Sequence, residues 1–274
     1  MRAALARCKD VNGKEEKFGG TALHWAAQGG HSGTVQLLLN DARVDVNSKC
    51  NLANTPLHWV AIKGHNETVQ LLLNDVRVDV NSKCDSGYTP LYFAASNGHT
   101  ATVQLLLNDK RVDVNFKTKG GLTPFHLAAA GGHTATVQLL LDDVRVDVNS
   151  EAENGSTPLH FAASKGHTAT VKILLDDVRV DVNSKAGDGS TPLHVAAMKD
   201  CHEIVRLLLA SPCLTTANHV NNNGYAPVMM ALLFESANAL RELVDNPCVK
   251  LCTTDKAGRS LDTVARSVFR SLNS

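Results

Sequence analysis

The chain has 274 residues, 43% of them apolar and only 4% aromatic, with 27 Lys+Arg balanced by 27 Asp+Glu. That apolar share suffices to bury a core and argues against a disordered chain. A net charge of zero lacks the basic excess that neutralising many phosphates demands, which argues against nucleic acid or an anionic membrane surface as a general partner.

Residues 1–11 read as the remnant of a second helix that runs into Asp10-Val11-Asn12 and caps the N-terminal end of the chain. This first stretch scatters charges among alanines and lacks the apolar run of a signal peptide. No later stretch approaches the roughly 18 apolar residues of a membrane-spanning helix, so membrane insertion is not expected. The cysteines (Cys8, Cys50, Cys84, Cys201, Cys213, Cys248 and Cys252) are odd in number. Their closest pair, Cys248 and Cys252, has no second pair at zinc-finger spacing, so no metal or other cofactor is expected. An intracellular, reduced protein is the expectation, cytoplasmic or nuclear.

From Thr21 the chain repeats itself. Thr21, Thr55, Thr89, Thr123, Thr157 and Thr191 each open a version of one string, at steps of 34 residues: TALHWAAQGGH, TPLHWVAIKGH, TPLYFAASNGH, TPFHLAAAGGH, TPLHFAASKGH and TPLHVAAMKDC. Degenerate copies begin at Ala226 and Ser260. Within the second copy, Thr55 is the expected N-cap and Pro56 the first helical residue, where a missing N–H costs nothing. Leu57, Val60 and Ala61 make one apolar stripe, and Gly64 supplies the left-handed residue that stops the helix. A second helix places Val69, Leu72 and Leu73 on one face. After it, Val76 to Val80 alternates apolar and polar residues as an extended arm does, and Asp85-Ser86-Gly87 has the chemistry of a turn.

Through the motifs G-x-TPLHxAAxxGH, V-x-LLL and DVN, the chain resembles the ankyrin repeat family, with a period one residue longer than usual. The resemblance runs from about Asn12 to the C-terminus. It implies an all-α repeat solenoid of helix-turn-helix units with β-hairpin loops, about seven repeats plus partial caps, in a single domain over 1–274. Repeats are expected near 12–46, 47–80, 81–114, 115–148, 149–182, 183–217 and 218–251, with a partial cap at 252–274. The extra residue is expected to lengthen the arm between second helix and hairpin. The resemblance further implies structural roles for the two histidine columns. The first set bonds to the Thr hydroxyl and hairpin backbone, the second across neighbouring repeats.

Nothing in the chain points to catalysis. The histidines repeat one group along the chain instead of converging with groups of other roles, and no nucleophile elbow, P-loop or HExxH motif occurs. The Arg43, Arg77, Arg111, Arg145 and Arg179 column has an acidic column two residues on, Asp45, Asp79, Asp113, Asp147 and Asp181, which reads as a self-neutralising surface.

What varies between copies carries any specificity. On the first helices these positions are Trp25, Gln28, Trp59, Ile62, Lys63, Phe93, Ser96, Asn97, Leu127, Phe161 and Lys165, with each aromatic position three and four residues before its polar companions and so on the same face. On the tips they are Leu52, Ser86, Tyr88, Lys119, Leu122 and Glu153. Aromatic anchors with a charged rim are the usual composition of a protein interface. The expected function is therefore a monomeric, non-catalytic scaffold for a protein or peptide partner, strongest at its N-terminal half. Tip lysines Lys49, Lys83, Lys117 and Lys119 call there for an acidic partner segment, and Glu151 and Glu153 interrupt the row. A second expectation concerns Asn47, Asn81, Asn115, Asn149 and Asn183, each with Leu eight residues earlier. They resemble the sites of the asparaginyl hydroxylase that acts on ankyrin repeats, whereas a plain hairpin Asn bonding its own backbone accounts for them without modification. A third expectation makes the chain the targeting domain of a larger protein, one form being a host-interacting effector, with catalysis elsewhere.

Overall fold

The computed structural model describes residues 10–251 together with Ala257, Gly258 and Ser260. The expected N-terminal remnant helix and nearly all of the expected cap at 252–274 lie outside the described residues. Helices come in pairs. The first members are Ala22–Gln28, Pro56–Lys63, Pro90–Ser96, Pro124–Ala130, Pro158–Ser164, Pro192–Met198 and Pro227–Leu233. The second members are Ser32–Leu39, Asn66–Leu73, Thr100–Asn108, Thr134–Asp142, Thr168–Asp176, His202–Ala210 and Ala237–Val244.

The five middle first helices start where Thr-Pro stands, with an extended Thr at the N-cap and Pro at the opening turn, whereas the first opens on Thr21-Ala22 and the last on Ala226-Pro227. The histidine three residues after Thr completes the cap. Thr55 N–H donates to His58 Nδ1 at 3.0 Å, and the Thr55 hydroxyl lies 2.8 Å from the same nitrogen. Because Nδ1 accepts, Nε2 carries the proton and donates to the Tyr88 carbonyl of the next hairpin at 3.0 Å. Thr21/His24, Thr123/His126, Thr157/His160 and Thr191/His194 repeat the arrangement.

The left-handed stop is at Gly64, φ 72°. A Cβ there would also lie 2.8 Å from the ring of His99 in the next pair. That ring donates from Nε2 to the Ile62 carbonyl at 2.9 Å, and His65 bonds Gln28 and His167 bonds Ala130 in the same way. The last copies change both partners at once. Asp200 keeps the positive φ, 53°, and small Ser236 stands where the facing histidine would be, donating to the Met198 carbonyl.

The segment after each second helix is not the extended arm that its alternation suggests, and no strand occurs among the described residues. Val78 N–H bonds Asp75 O at 3.1 Å, closing a turn that absorbs the additional residue of the 34-residue period. Val78 and Val80 face the core, whereas Val76 is 88% exposed. Several of its backbone groups are bonded within the turn or to neighbouring copies instead of to a strand partner. Asn47 Nδ2 donates to Arg77 O at 2.7 Å, and its Oδ1 accepts Asp79 N–H at 2.8 Å. The asparagine thus staples one copy to the next instead of bonding its own backbone.

Arginine does the same from the other side. Arg77 pairs with Asp75, two residues before it, at 2.6 Å, and not with the Asp two residues after. The preceding Asp wins because its carboxylate also accepts the Arg77 backbone N–H, which fixes it beside the fork. Nη2 of Arg77 then reaches the Leu39 carbonyl at the end of the previous second helix, 2.8 Å away. The later acid serves the backbone instead, for Asp79 Oδ1 caps the Asn81 N–H.

The described chain divides into two compact units, one running to Lys119 and taking in Asp142–Val146, the other holding Gly120–Leu141 and the residues from Asp147 on. Within each, first helix packs on first helix and second on second. Buried Leu57, Val60, Val69 and Leu72 in one, and Leu159, Val171, Leu193 and Leu208 in the other, fill the layers between pairs. Each such side chain contributes about 1.5–3 kcal/mol by leaving water.

Candidate partner-binding surface

The first unit gathers part of the expected interface into a defined pocket. Trp25, 43% exposed, meets Phe18 edge-to-face at 5.9 Å between ring centroids. Together with His24, Gln28, Cys50 and half-buried Trp59 they line an apolar pocket of about 120 Å³. Leu52, 62% exposed, projects from the adjoining tip, where Asn51 N–H bonds the Phe18 carbonyl at 2.9 Å. Phe18 is not among the residues expected from the sequence, yet the period contains the signal. Positions 18, 52, 86, 120, 154 and 188 are one tip position in successive copies, apolar only in Phe18 and Leu52.

Phe93 sits elsewhere in this unit and is more enclosed. Its ring stands edge-on to His58 at 6.0 Å and to Tyr88 at 5.7 Å, and Tyr88 stacks on Tyr92 at 4.1 Å. Phe93 therefore fills the space between neighbouring first helices as well as presenting an edge. Tyr92 occupies the histidine position, and burial, reinforced by the Tyr88 hydroxyl, pushes its phenol above the ordinary range. Lys63, Ser86, Asn97 and Lys119 are exposed, while Ile62, Ser96 and Tyr88 are half-buried.

In the second unit, Phe161 stands edge-on to His126 at 5.4 Å, and Leu122 and Leu127 are half-buried. Glu153 and Lys165 are exposed at opposite ends of the surface, one on a tip and one capping the first helix Pro158–Ser164. The larger cavity of the two, about 450 Å³, lies in this unit between the tips and the helix Pro192–Met198. Asn154, Asp188, Val195, Met198 and Met230 line it. Aromatic positions alone did not reveal it, because here valine and methionine make the apolar wall.

The histidines under these surfaces are held as neutral packing groups. Burial drives His58 and His194 from the ordinary 6.5 down to about 4, against the opposing pull of their carbonyl acceptors. The five hydroxylation candidates are half-buried, each with Nδ2 bonded to a carbonyl of the following copy. Among the described residues no three His, Cys, Asp or Glu side chains group as a metal site. No helix among them is long and apolar enough to cross a membrane.

A family model for ankyrin repeats, three copies long, matches residues 2–84, 23–118, 110–186 and 178–255. No curated protein sequence matches the chain. Among solved structures, the crystal structure of the ankyrin repeat domain of Bcl-3, titled a unique member of the IkappaB protein family, is similar with a TM-score of 0.73 and 26% identity. The match covers 82% of this chain and 99% of that one. The overlapping matches leave few residues outside the repeat pattern, and the chain belongs to the ankyrin repeat family.

Proposed function

We propose that the chain is a non-catalytic, monomeric, intracellular scaffold that holds a protein or peptide partner along its hairpin tips and first-helix grooves. One observation carries this reading. The chemistry shared by most copies is consumed in building the stack: His58 in a cap, Asn47 in a staple, Arg77 in a clamp. What differs between copies, Trp25, Leu52, Lys63, Asn97, Glu153 and Lys165 among them, is what stays exposed. A surface individualised on an invariant frame fits recognition better than chemistry, which needs convergent groups of different roles. Proximity labelling with the full chain tests it. Partners should be lost when Trp59 and Tyr88 in one unit, or Lys165 and Met198 in the other, are replaced by Ala. An unchanged set of partners with both pairs replaced would refute the reading.

A second reading is favoured by the identical placement of Asn47, Asn81, Asn115, Asn149 and Asn183, each eight residues after a leucine. These would be substrates of an ankyrin-directed asparaginyl hydroxylase. Their side chains bridge two copies, so the enzyme would act on a locally opened chain. Intact-mass measurement of protein from its native cell should then show increments of one oxygen atom, and their absence would dispose of it.

A further inference from the structure

Within the scaffold reading, on which this inference rests, the first two helix pairs differ from the rest in two independent ways. They alone carry large apolar residues at the tip position, Phe18 and Leu52, beside the pocket between Trp25 and Trp59. Exposed apolar clusters of this kind mark interaction sites. The pocket volume of about 120 Å³ is close to that of an engineered cavity of about 150 Å³ that holds benzene, so it accommodates one aliphatic side chain.

The surroundings of the pocket are cationic. Lys17 Nζ lies 5.1 Å from the centroid of the Phe18 ring. Lys14 Nζ bonds the Lys49 carbonyl at 2.8 Å, and Lys49 Nζ bonds the Lys83 carbonyl at 3.0 Å, which lays a row of ammonium groups along the hairpin necks. Lys63 is exposed at the end of the first helix that carries Trp59. On the Phe18 tip, Glu15 is engaged, because its carboxylate accepts the backbone N–H groups of Lys17 and Phe18, while Asp85, whose backbone N–H bonds the Leu52 carbonyl, is exposed. Glu16 is the acid that remains exposed on the Phe18 tip.

We propose that this pocket is the anchor point of the scaffold and that its occupant is an acidic peptide segment, one aliphatic side chain of which enters between Trp25 and Trp59 while flanking carboxylates pair with Lys14, Lys17 and Lys49. The aliphatic group supplies affinity by leaving water, and the carboxylates set orientation and association rate.

The chain's only tryptophans line this pocket, so their emission reports on it alone. Three synthetic peptides of equal length serve as probes: one with a central Leu flanked by Glu on both sides, one with Lys for every Glu, and one with Ala for Leu. The Glu/Leu peptide should shift the emission saturably, and either change to the peptide should weaken binding about tenfold. Lys17→Glu with Lys49→Glu, both surface changes, should weaken the Glu/Leu peptide by a similar factor and strengthen the Lys peptide. Equal responses to peptides of opposite charge, or no response to any, would overturn the proposal. So would self-association of the free chain that Trp59→Ala abolishes, since the occupant would then be a second copy. If the peptides fail while Lys165→Ala with Met198→Ala still costs the labelled partners, the scaffold stands and only this anchor falls.

Discussion

Arg111 reaches back 38 residues to place its Nη2 2.8 Å from the carbonyl oxygen of Leu73, while the same guanidinium forks onto Asp109 at 2.6 Å. The carbonyl belongs to the last turn of the preceding second helix, where four such oxygens lack helical partners and the helix dipole is negative. Asp109 holds the fork in position, and the Arg111 side chain in turn keeps its carboxyl below the ordinary range. Arg77 and Arg145 make the same bond to Leu39 and Leu107. The additional residue of the period is thus part of a helix-capping clamp between copies.

Arg111→Lys is expected to destabilise the chain by about 1 kcal/mol, since an ammonium cannot fork onto Asp109 and reach Leu73 together. The pair is partly exposed, so high salt should screen its Coulombic part and reduce this difference. Urea unfolding monitored by far-UV circular dichroism measures it, and an unaltered midpoint would mean that the clamp is idle.

Cys213 stands where the arginine would be in the sixth copy, with Ser211 in place of its aspartate. Amide exchange at the end of Thr168–Asp176 is therefore expected to be faster than at the end of Thr134–Asp142, whose following copy has Arg179 clamped to Leu141. Ser211→Asp with Cys213→Arg should restore a clamp to the Leu175 carbonyl and slow exchange at the end of Thr168–Asp176 by about fivefold, equivalent to about 1 kcal/mol.

Acid should unfold the chain through its caps. In the unfolded state His58 and His194 take up a proton near 6.5, whereas in the fold burial holds both at about 4. Stability is therefore full above pH 6.5 and declines as pH falls toward 4, by at most about 3 kcal/mol for each ring. Stability measured between pH 7.5 and 4.5 should show this slope, and His58→Tyr, which copies Tyr92 of the next pair, should reduce it by one proton. A slope that does not change would contradict the neutral cap.

Gly64→Ala should cost about 1–3 kcal/mol, because it combines a left-handed backbone with a Cβ placed against His99. Adding His99→Ser, after the pattern of Asp200 and Ser236, should remove the contact but not the backbone strain. A double-mutant cycle then gives a favourable coupling between positions 64 and 99. Strict additivity would show that the ring is not what excludes the side chain.

The repeat, its helix starts and its fold class were legible without coordinates because they depend on local chemistry copied at a fixed interval. Thr55-Pro56 can begin a helix in isolation, Leu57, Val60 and Ala61 make a stripe at any location, and Gly64 stops a helix by its own backbone freedom. Where the alternation of Val76 to Val80 suggested an extended arm, the Arg77 carbonyl and Asp79 N–H were claimed by Asn47 and the Val78 carbonyl by Arg111, which belong to neighbouring copies and not to the segment itself. The choice of Asp75 over Asp79 as the partner of Arg77 has the same origin. Both acids are two residues away in sequence, and only the turn decides which one faces the guanidinium.

The candidate surface divides along the same line. That Trp25, Trp59, Phe93 and Phe161 share one helical position is a consequence of spacing. That Trp25 and Trp59 wall an open pocket while Phe93 leans on His58 and Tyr88 depends on the side chains each neighbouring copy sets beside them. The sequence by itself determined the unit, its period and the identity of the variable positions, since these are written within each copy. Tertiary structure decided which of those positions enclose space, because a pocket is made by side chains of two copies at once, and no single copy contains it.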